Sequence, residues 1–431
     1  MRLQIRSIRP GEGRALCWSF AYFFCLLAGY YVLRPLRDEM GIAGGVRNLH
    51  WLFTATFLVM LAAVPVFGAV VARLPRRRFI PLVYHFFAAN IALFWLLLVL
   101  DVGKVEVARV FFVWISVFNL FAVSVFWSFM ADLYDSEQGM RLFGFIAAGG
   151  SAGALAGPAV TVWLAGSLGP VNLLLVAAAL LEAAVLCAHR LEAVAPRAGG
   201  EAGAPVAPNA GIGGGWLAGF LLVLRSPYLA GIALWVSLLS LAGTFLYFQQ
   251  AHIVAAASDD PAVRTRIFAS IDLAVGVLTL IVQGVATGRL IARFGVGAAA
   301  AFLPLVFALG FAVLAMHPAL IAIMIFQAAQ RTANFAISNP AREVLFTVAG
   351  REEKYKAKYV IDGVVFRGAD AASGWLFAAL RTAGMEISAI AAVTVPVAIG
   401  WLALALTLGR AQKQRAAVQA SAAVTQSVKG I

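Results

Sequence analysis

The chain has 431 residues and a formal charge of +13, yet 62% of its residues are hydrophobic, only 12% are charged, and its mean hydropathy is +0.90. These values exclude a soluble globular domain and a disordered chain, and they read as a polytopic membrane protein. The basic excess is placed as a topology signal rather than a nucleic-acid footprint: with both termini in the cytoplasm, most Lys and Arg fall on cytoplasmic ends and loops.

Windows of about 19 residues place the first apolar span at 15 to 37. It is longer than a signal-peptide core and has no small-residue cleavage site at its end, so it reads as retained. It carries Tyr30 to Glu39 at its far end, with Arg34, Arg37, Asp38 and Glu39 in one short run. Charges taken that far by a membrane helix either mark a solute pathway or snorkel to the headgroups. Spans at 49 to 72 and 79 to 100 follow, separated by Arg73, Arg76, Arg77 and Arg78. These arginines and Arg289 with Arg293 are either a cytoplasmic gate meeting Asp132, Asp135 and Glu137, or topology determinants. The next spans are 108 to 131, 142 to 166 and 170 to 189. In the fifth, Gly149, Gly153 and Gly157 recur every fourth residue and imply close helix contact.

Ala193 to Gly215 is rich in Ala, Gly and Pro, the composition of a flexible linker. Six further spans come after it at 227 to 250, 267 to 292, 297 to 316, 318 to 346, 357 to 381 and 386 to 408. The expected organisation is an N-terminal half (1–190), a cytoplasmic linker (191–226), a C-terminal half (227–409) and a cytoplasmic tail (410–431). The halves repeat: Gly68-Ala69-Val70-Val71-Ala72-Arg73 returns as Gly284-Val285-Ala286-Thr287-Gly288-Arg289, and Tyr31 to Arg37 falls on Tyr247 to Ile253 at the same offset.

Polar residues inside the second-half spans are few. Gln327, Arg331, Asn334 and Ser338 share one helical face of the tenth span, which lines a cavity or knits helices by hydrogen bonds. Asp272 and Gln283 lie in the eighth span, Gln249 and Gln250 in the seventh, and Asp362, Arg367 and Asp370 in the eleventh. Arg367 and Asp370 are spaced to act on a solute or to form an i,i+3 ion pair. Five scattered histidines and three cysteines in apolar spans offer no metal-ligand or disulfide pattern, and the chain has no Walker loop. No cofactor, metal or enzymatic activity is expected.

The doubled six-span pattern and the glycine-to-arginine loop sequences resemble the major facilitator superfamily. Within it, Leu33-Arg34-Pro35-Leu36-Arg37-Asp38 resembles the first-helix Leu-Arg-Asp-x-Lys-Asp of the non-mitochondrial ATP/ADP translocases (nucleotide transporters). Asn339-Pro340-Ala341-Arg342-Glu343 and Lys356-Ala357-Lys358-Tyr359-Val360-Ile361-Asp362 are similar to that family's Asp-Pro-x-Lys-Glu and Lys-x-Lys-x-x-Ile-Asp. The resemblance implies an all-α membrane protein of twelve transmembrane helices in two six-helix halves, with Arg37 in place of a phosphate-binding lysine. Residues 107 to 131 hold no acidic side chain where the family has a glutamate, and Gln249 or Gln250 stands where it has an acid.

The expected function is therefore secondary transport of a small anionic solute, a nucleotide or another phosphorylated compound, by alternating access. A proton-coupled carrier or exporter of a non-nucleotide solute, and a non-transporting receptor on the same fold, are the alternatives. Arg34, Arg37, Gln327, Arg331, Asn334 and Arg367 are the expected solute ligands in one central cavity, Asp272, Asp362 and Asp370 the coupling acids, and Arg73 and Arg289 the gate. The expected setting is the bacterial inner membrane, as a multi-pass monomer with both termini cytoplasmic.

Overall fold

A computed structural model describes residue 9 and residues 12–73, 76–194, 216–285, 287–350 and 356–429. Among the described residues the regular structure is entirely helical, as expected where lipid offers no partner to an unpaired backbone group. The long helices are α1 (Glu12–Ala43), α2 (Leu49–Arg73), α3 (Arg76–Val99), α4 (Lys104–Leu133), α5 (Ser136–Leu168) and α6 (Leu173–Val194) in the first repeat. The second holds α7 (Pro227–Ala257), α8 (Pro261–Val285), α9 (Thr287–Met316), α10 (Leu320–Ala333), α11 (Phe366–Thr382) and α12 (Ile387–Lys429). Eleven segments among the described residues are long and apolar enough to cross a membrane.

Two compact units result, and they do not keep to chain order. The first comprises Met1–Gly203 together with Val254–Gly276, and the second Ala204–Ile253 together with Val277–Ile431. In the first unit α5 lies directly on α1. A Cβ at Gly149 would stand 2.5 Å from the Phe20 carbonyl oxygen, one at Gly157 would stand 2.6 Å from that of Ala28, and one at Gly153 would collide with that of Phe24. The glycine stripe therefore sets the distance between these two helices, as small residues do between membrane helices. Asp135 starts α5 with a capping box, its carboxylate accepting from the Gln138 N–H at 2.7 Å. Glu12 ties the start of α1 to α5, accepting from Arg141 Nη2 at 2.9 Å and Nη1 at 3.1 Å. Deeper in, Phe23 stacks on Phe126 at 4.1 Å between centroids. The Tyr22 hydroxyl donates to that of Tyr84, which donates to the Ala122 carbonyl, so the buried phenols are satisfied.

The second unit centres on Trp235, Trp401, Phe307, Phe311 and Phe326, all buried and in mutual edge or tilted contact. Its helices depart from regularity in two places the sequence pattern does not mark. The expected span 318 to 346 runs as α10, then a π-helical turn Asn334–Ser338, then the short helix Asn339–Leu345. The expected span 357 to 381 opens on a second π-helical turn, Val360–Val365, before α11. A π-turn inserts an extra residue into the helical ladder and rotates the next turn about the axis, and such turns concentrate at functional sites.

Two further differences concern the ends. The segment expected as linker carries a helix at Trp216–Arg225, with 195–215 outside the described residues. The expected tail continues α12 to Lys429 as helix, where Gln419 Nε2 donates to the Val348 carbonyl at 3.1 Å and the Arg415 guanidinium lies 4.4 Å from the Tyr228 ring centroid.

Candidate functional site

The expected ligands fall into two clusters, one in each unit. The first is built on the last turns of α1. Pro35 lies between Arg34 and Arg37 and, lacking an N–H, leaves the Tyr31 carbonyl one turn earlier without its helical donor. Arg34 is 20% exposed at its side chain, and its Nη1 lies 3.6 Å from Oδ1 of Asp272, which is 1% exposed. Arg37 stacks its guanidinium over Phe112 at 4.2 Å from the centroid and stands 3.7 Å from Asp38 Oδ1. Its Nε is buried with no hydrogen-bond partner among the described residues. A guanidinium offers five donors in a planar fork, so Arg37 has hydrogen-bonding capacity left for an oxyanion.

One contact in this unit lies outside the sequence expectation. Glu39, one helical turn beyond Pro35, receives two hydrogen bonds from Arg264 at the start of α8, Nε to Oε2 and Nη2 to Oε1, each at 2.7 Å. The two side chains are 2% and 11% exposed. This fork-on-fork pair and Arg34–Asp272 join the Val254–Gly276 segment to α1 within the first unit. The signal in the sequence is weak: an arginine just after an acidic pair, Asp259-Asp260, at the head of a membrane span.

The second cluster lies along α10 and α11. Gln330 Nε2 donates to Gln327 Oε1 at 2.8 Å, and Gln327 Nε2 donates to Gln250 Oε1 at 2.6 Å, a buried relay of three carboxamides from α10 to α7. The stripe thus knits helices at its N-terminal end. Farther along, Asn334 Oδ1 and Ser338 Oγ, both in the π-turn, are buried without a hydrogen-bond partner among the described residues. Arg331 lies between these two regions of the stripe, half-buried. In the sequence repeat Gln250 occupies the position of Arg34, so the equivalent turn carries a cation in one half and a carboxamide in the other.

Each expected coupling acid has an arginine neighbour. Asp272 faces Arg34, Arg342 Nη1 stands 3.4 Å from Asp362 Oδ1, and Arg367 Nη1 stands 3.6 Å from Asp370 Oδ2. Asp370 also accepts from Ser240 Oγ at 2.5 Å and Thr244 Oγ1 at 3.3 Å, both on α7. Lys358 pairs with Glu343. Charge-assisted N–H···O bonds run about 2.7–2.9 Å, so these three Asp–Arg contacts are loose beside the Glu39–Arg264 clamp.

The expected gate is only partly in view. The side chains of Arg73 and Arg76 to Arg78 lie outside the described residues. Arg289 is exposed and donates to the Val285 carbonyl at 3.3 Å. Of its expected partners, Glu137 engages Arg9 and Arg141, and Asp135 caps α5.

The architecture matches solved transporter structures across nearly the whole chain. A bacterial homologue of the human lysosomal transporter Spinster, in an inward-facing and unoccupied conformation, aligns with a TM-score of 0.60 at 13% identity, covering 94% of this chain and 99% of its own. The nucleoside transporter NupG gives 0.60 at 14% identity over 94% and 99%. A POT family transporter in complex with a thioalcohol-conjugated peptide gives 0.64 at 13% identity over 95% and 99%. No family model and no curated protein matches the chain. The fold is thus all-α, with twelve membrane helices of the major facilitator type.

Proposed function

We propose that this chain is a secondary transporter of the bacterial inner membrane, moving a small anionic solute by alternating access, with both termini cytoplasmic. The observation that carries the reading is the Arg34–Asp272 pair, a charge pair within membrane-spanning helices whose 3.6 Å separation is too long for a strong hydrogen bond. Intramembrane charges are costly and mark transport pathways, and a pair this loose can exchange its carboxylate for a solute oxyanion at small cost. Arg37 adds uncommitted donors in the same unit. Arg331, Arg367 and Asn334 are the solute ligands of the second unit, and Gln327, expected among them, is engaged instead in the carboxamide relay. The solutes of two structural neighbours, nucleosides for NupG and a peptide conjugate for the POT protein, support a small polar cargo.

Phosphorylated solutes fit best, because guanidinium forks bind phosphate bidentately and keep their charge. Nucleotides are the first class to test, given the first-helix and tenth-helix sequences. Asp272, Asp362 and Asp370 serve as the acids that couple the cycle, and Arg73 and Arg289 as elements of a cytoplasmic gate. Proteoliposome uptake of labelled nucleotides and sugar phosphates tests the reading. Arg37→Gln and Arg331→Gln each abolish uptake while the protein remains folded in the membrane. Wild-type flux in both variants refutes it, and binding without flux in the wild type selects the receptor alternative.

A further inference from the structure

Away from these clusters the first unit carries a groove of about 620 Å³ walled by α2, α3 and α4. Val59, Phe86, Val110, Val117 and Phe121 line it, and Arg109 is its one charged lining residue among those described. Its rim is open: Val59, Phe86 and Val110 are 41%, 59% and 58% exposed. On α4 the wall positions lie on one face, while Phe112, whose ring receives Arg37, sits about 200° round the helix from Val110 at about 100° per residue. The groove therefore opens on the side of α4 away from the Arg37 cluster. In a membrane-spanning unit, that side meets lipid.

Its length and its charge select an occupant. From Val110 to Phe121 α4 rises about 16 Å at about 1.5 Å per residue, close to half of a hydrocarbon core about 30 Å thick. That is the depth of one leaflet, the run of a single acyl chain. At the end of the run Arg109 donates from Nε to the Gly44 carbonyl at 2.8 Å, which fixes the guanidinium on the α1–α2 turn. It has no carboxylate partner among the described residues, and neither has Arg47 in the same turn. Trp51, 57% exposed, stands at this end of α2, where an indole belongs at the headgroup level.

We propose that the groove is a binding site for an anionic phospholipid, one acyl chain lying along α4 and the phosphate taken by Arg109 with Arg47 beside it. Two cations without a carboxylate partner among the described residues complement a phosphodiester, and a zwitterionic headgroup brings an ammonium that cancels part of this attraction. The site is independent of the solute proposed above and stands whether or not the chain transports.

Native mass spectrometry of the full chain, relipidated with equimolar phosphatidylglycerol and phosphatidylethanolamine, tests it. Wild type retains one phosphatidylglycerol in preference to phosphatidylethanolamine by about fivefold, the factor one basic residue contributes at an anionic surface. Arg109→Gln removes the preference, Arg109→Lys keeps most of it, and Val117→Trp, which fills the groove, removes the retained lipid. Thermal shift of wild type alone supplies a second reading that needs no variant: long-chain phosphatidylglycerol stabilises, and dihexanoyl phosphatidylglycerol, with the same headgroup and no chain to fill the groove, does not. Equal retention of the two lipids, a phosphatidylglycerol adduct that persists in Arg109→Gln, stabilisation by the short-chain lipid to the same extent, or a dimer abolished by Val117→Trp overturns the proposal.

Discussion

The Glu39–Arg264 clamp permits a quantitative test of how the first unit is held together. Both side chains are nearly buried and joined by two hydrogen bonds of 2.7 Å, so removing one partner strands a charge. Breaking a buried pair in this way costs about 3–5 kcal/mol, whereas removing both charges together leaves neither uncompensated. Glu39→Gln and Arg264→Gln are each expected to destabilise the protein by about 3 kcal/mol, and the double variant by clearly less than their sum. The coupling energy should exceed about 1.5 kcal/mol, well above the roughly 0.3–0.5 kcal/mol within which independent sites add. Unfolding in mixed micelles, monitored by tryptophan fluorescence, gives the four corners of the cycle. The exposed pair Arg9–Glu137, with side chains 62% and 58% accessible, is the control and should contribute at most about 1 kcal/mol. Additive single variants at Glu39 and Arg264 refute the reasoning, since the hydrogen bonds would then hold nothing that water or lipid headgroups could not.

The same contacts set further expectations. Gly149→Leu drives a side chain into the Phe20 carbonyl and should cost about 1–3 kcal/mol or prevent folding, whereas Gly144→Ala, with nothing within 4 Å of the new Cβ, should change stability by less than about 0.5 kcal/mol; the same unfolding assay separates them. Gln327→Leu strands Gln250 Oε1 and Gln330 Nε2 and should cost about 1–3 kcal/mol, while Gln250→Glu offers the relay a stronger acceptor and should retain it. Asp370→Asn tests coupling. If transport is proton-linked, uptake into empty vesicles driven by a pH gradient is lost in this variant. If it is strict exchange, uptake occurs only into loaded vesicles and ignores the gradient.

The membrane helices were legible because lipid imposes one requirement on every span, and composition alone meets or fails it. A close contact of α5 was legible too, since Gly149, Gly153 and Gly157 state their spacing directly, though its partner α1 was not. The π-turns were not: Asn334–Ser338 and Val360–Val365 are rich in weak helix formers, with Pro340 just beyond the first and Gly363 within the second, but no residue spacing marks where an extra residue enters the ladder. Arg34, Arg37, Arg331 and Arg367 could be singled out as charges at membrane depth, but the partners in the first unit could not, because Asp272 and Arg264 come from the other repeat and no local pattern encodes that distance. The tenth-span stripe shows the limit most clearly. Its four residues share a face as spacing requires, yet Gln327 is spent on a helix-to-helix relay while Asn334 and Ser338, displaced by the π-turn, keep unused hydrogen-bonding atoms.

Under the proposed transport function, the two classes of ion pair divide the labour between holding and handling. A carboxylate–guanidinium fork at 2.7 Å has both partners desolvated and saturated, so a solute oxyanion gains little by displacing Glu39 from Arg264. At 3.4–3.6 Å, as in Arg34–Asp272, Arg342–Asp362 and Arg367–Asp370, the charges still offset one another but the directional hydrogen bond is lacking. Under the transport reading proposed above, an incoming oxyanion gains at such an arginine the hydrogen bond that the carboxylate does not make. The loose pairs therefore suit exchange and the tight pair suits structure. Tightening a loose pair tests this: Asp272→Glu, whose longer side chain can close the gap to Arg34, is expected to stabilise the fold and slow uptake, and faster uptake with a more stable protein would refute the division.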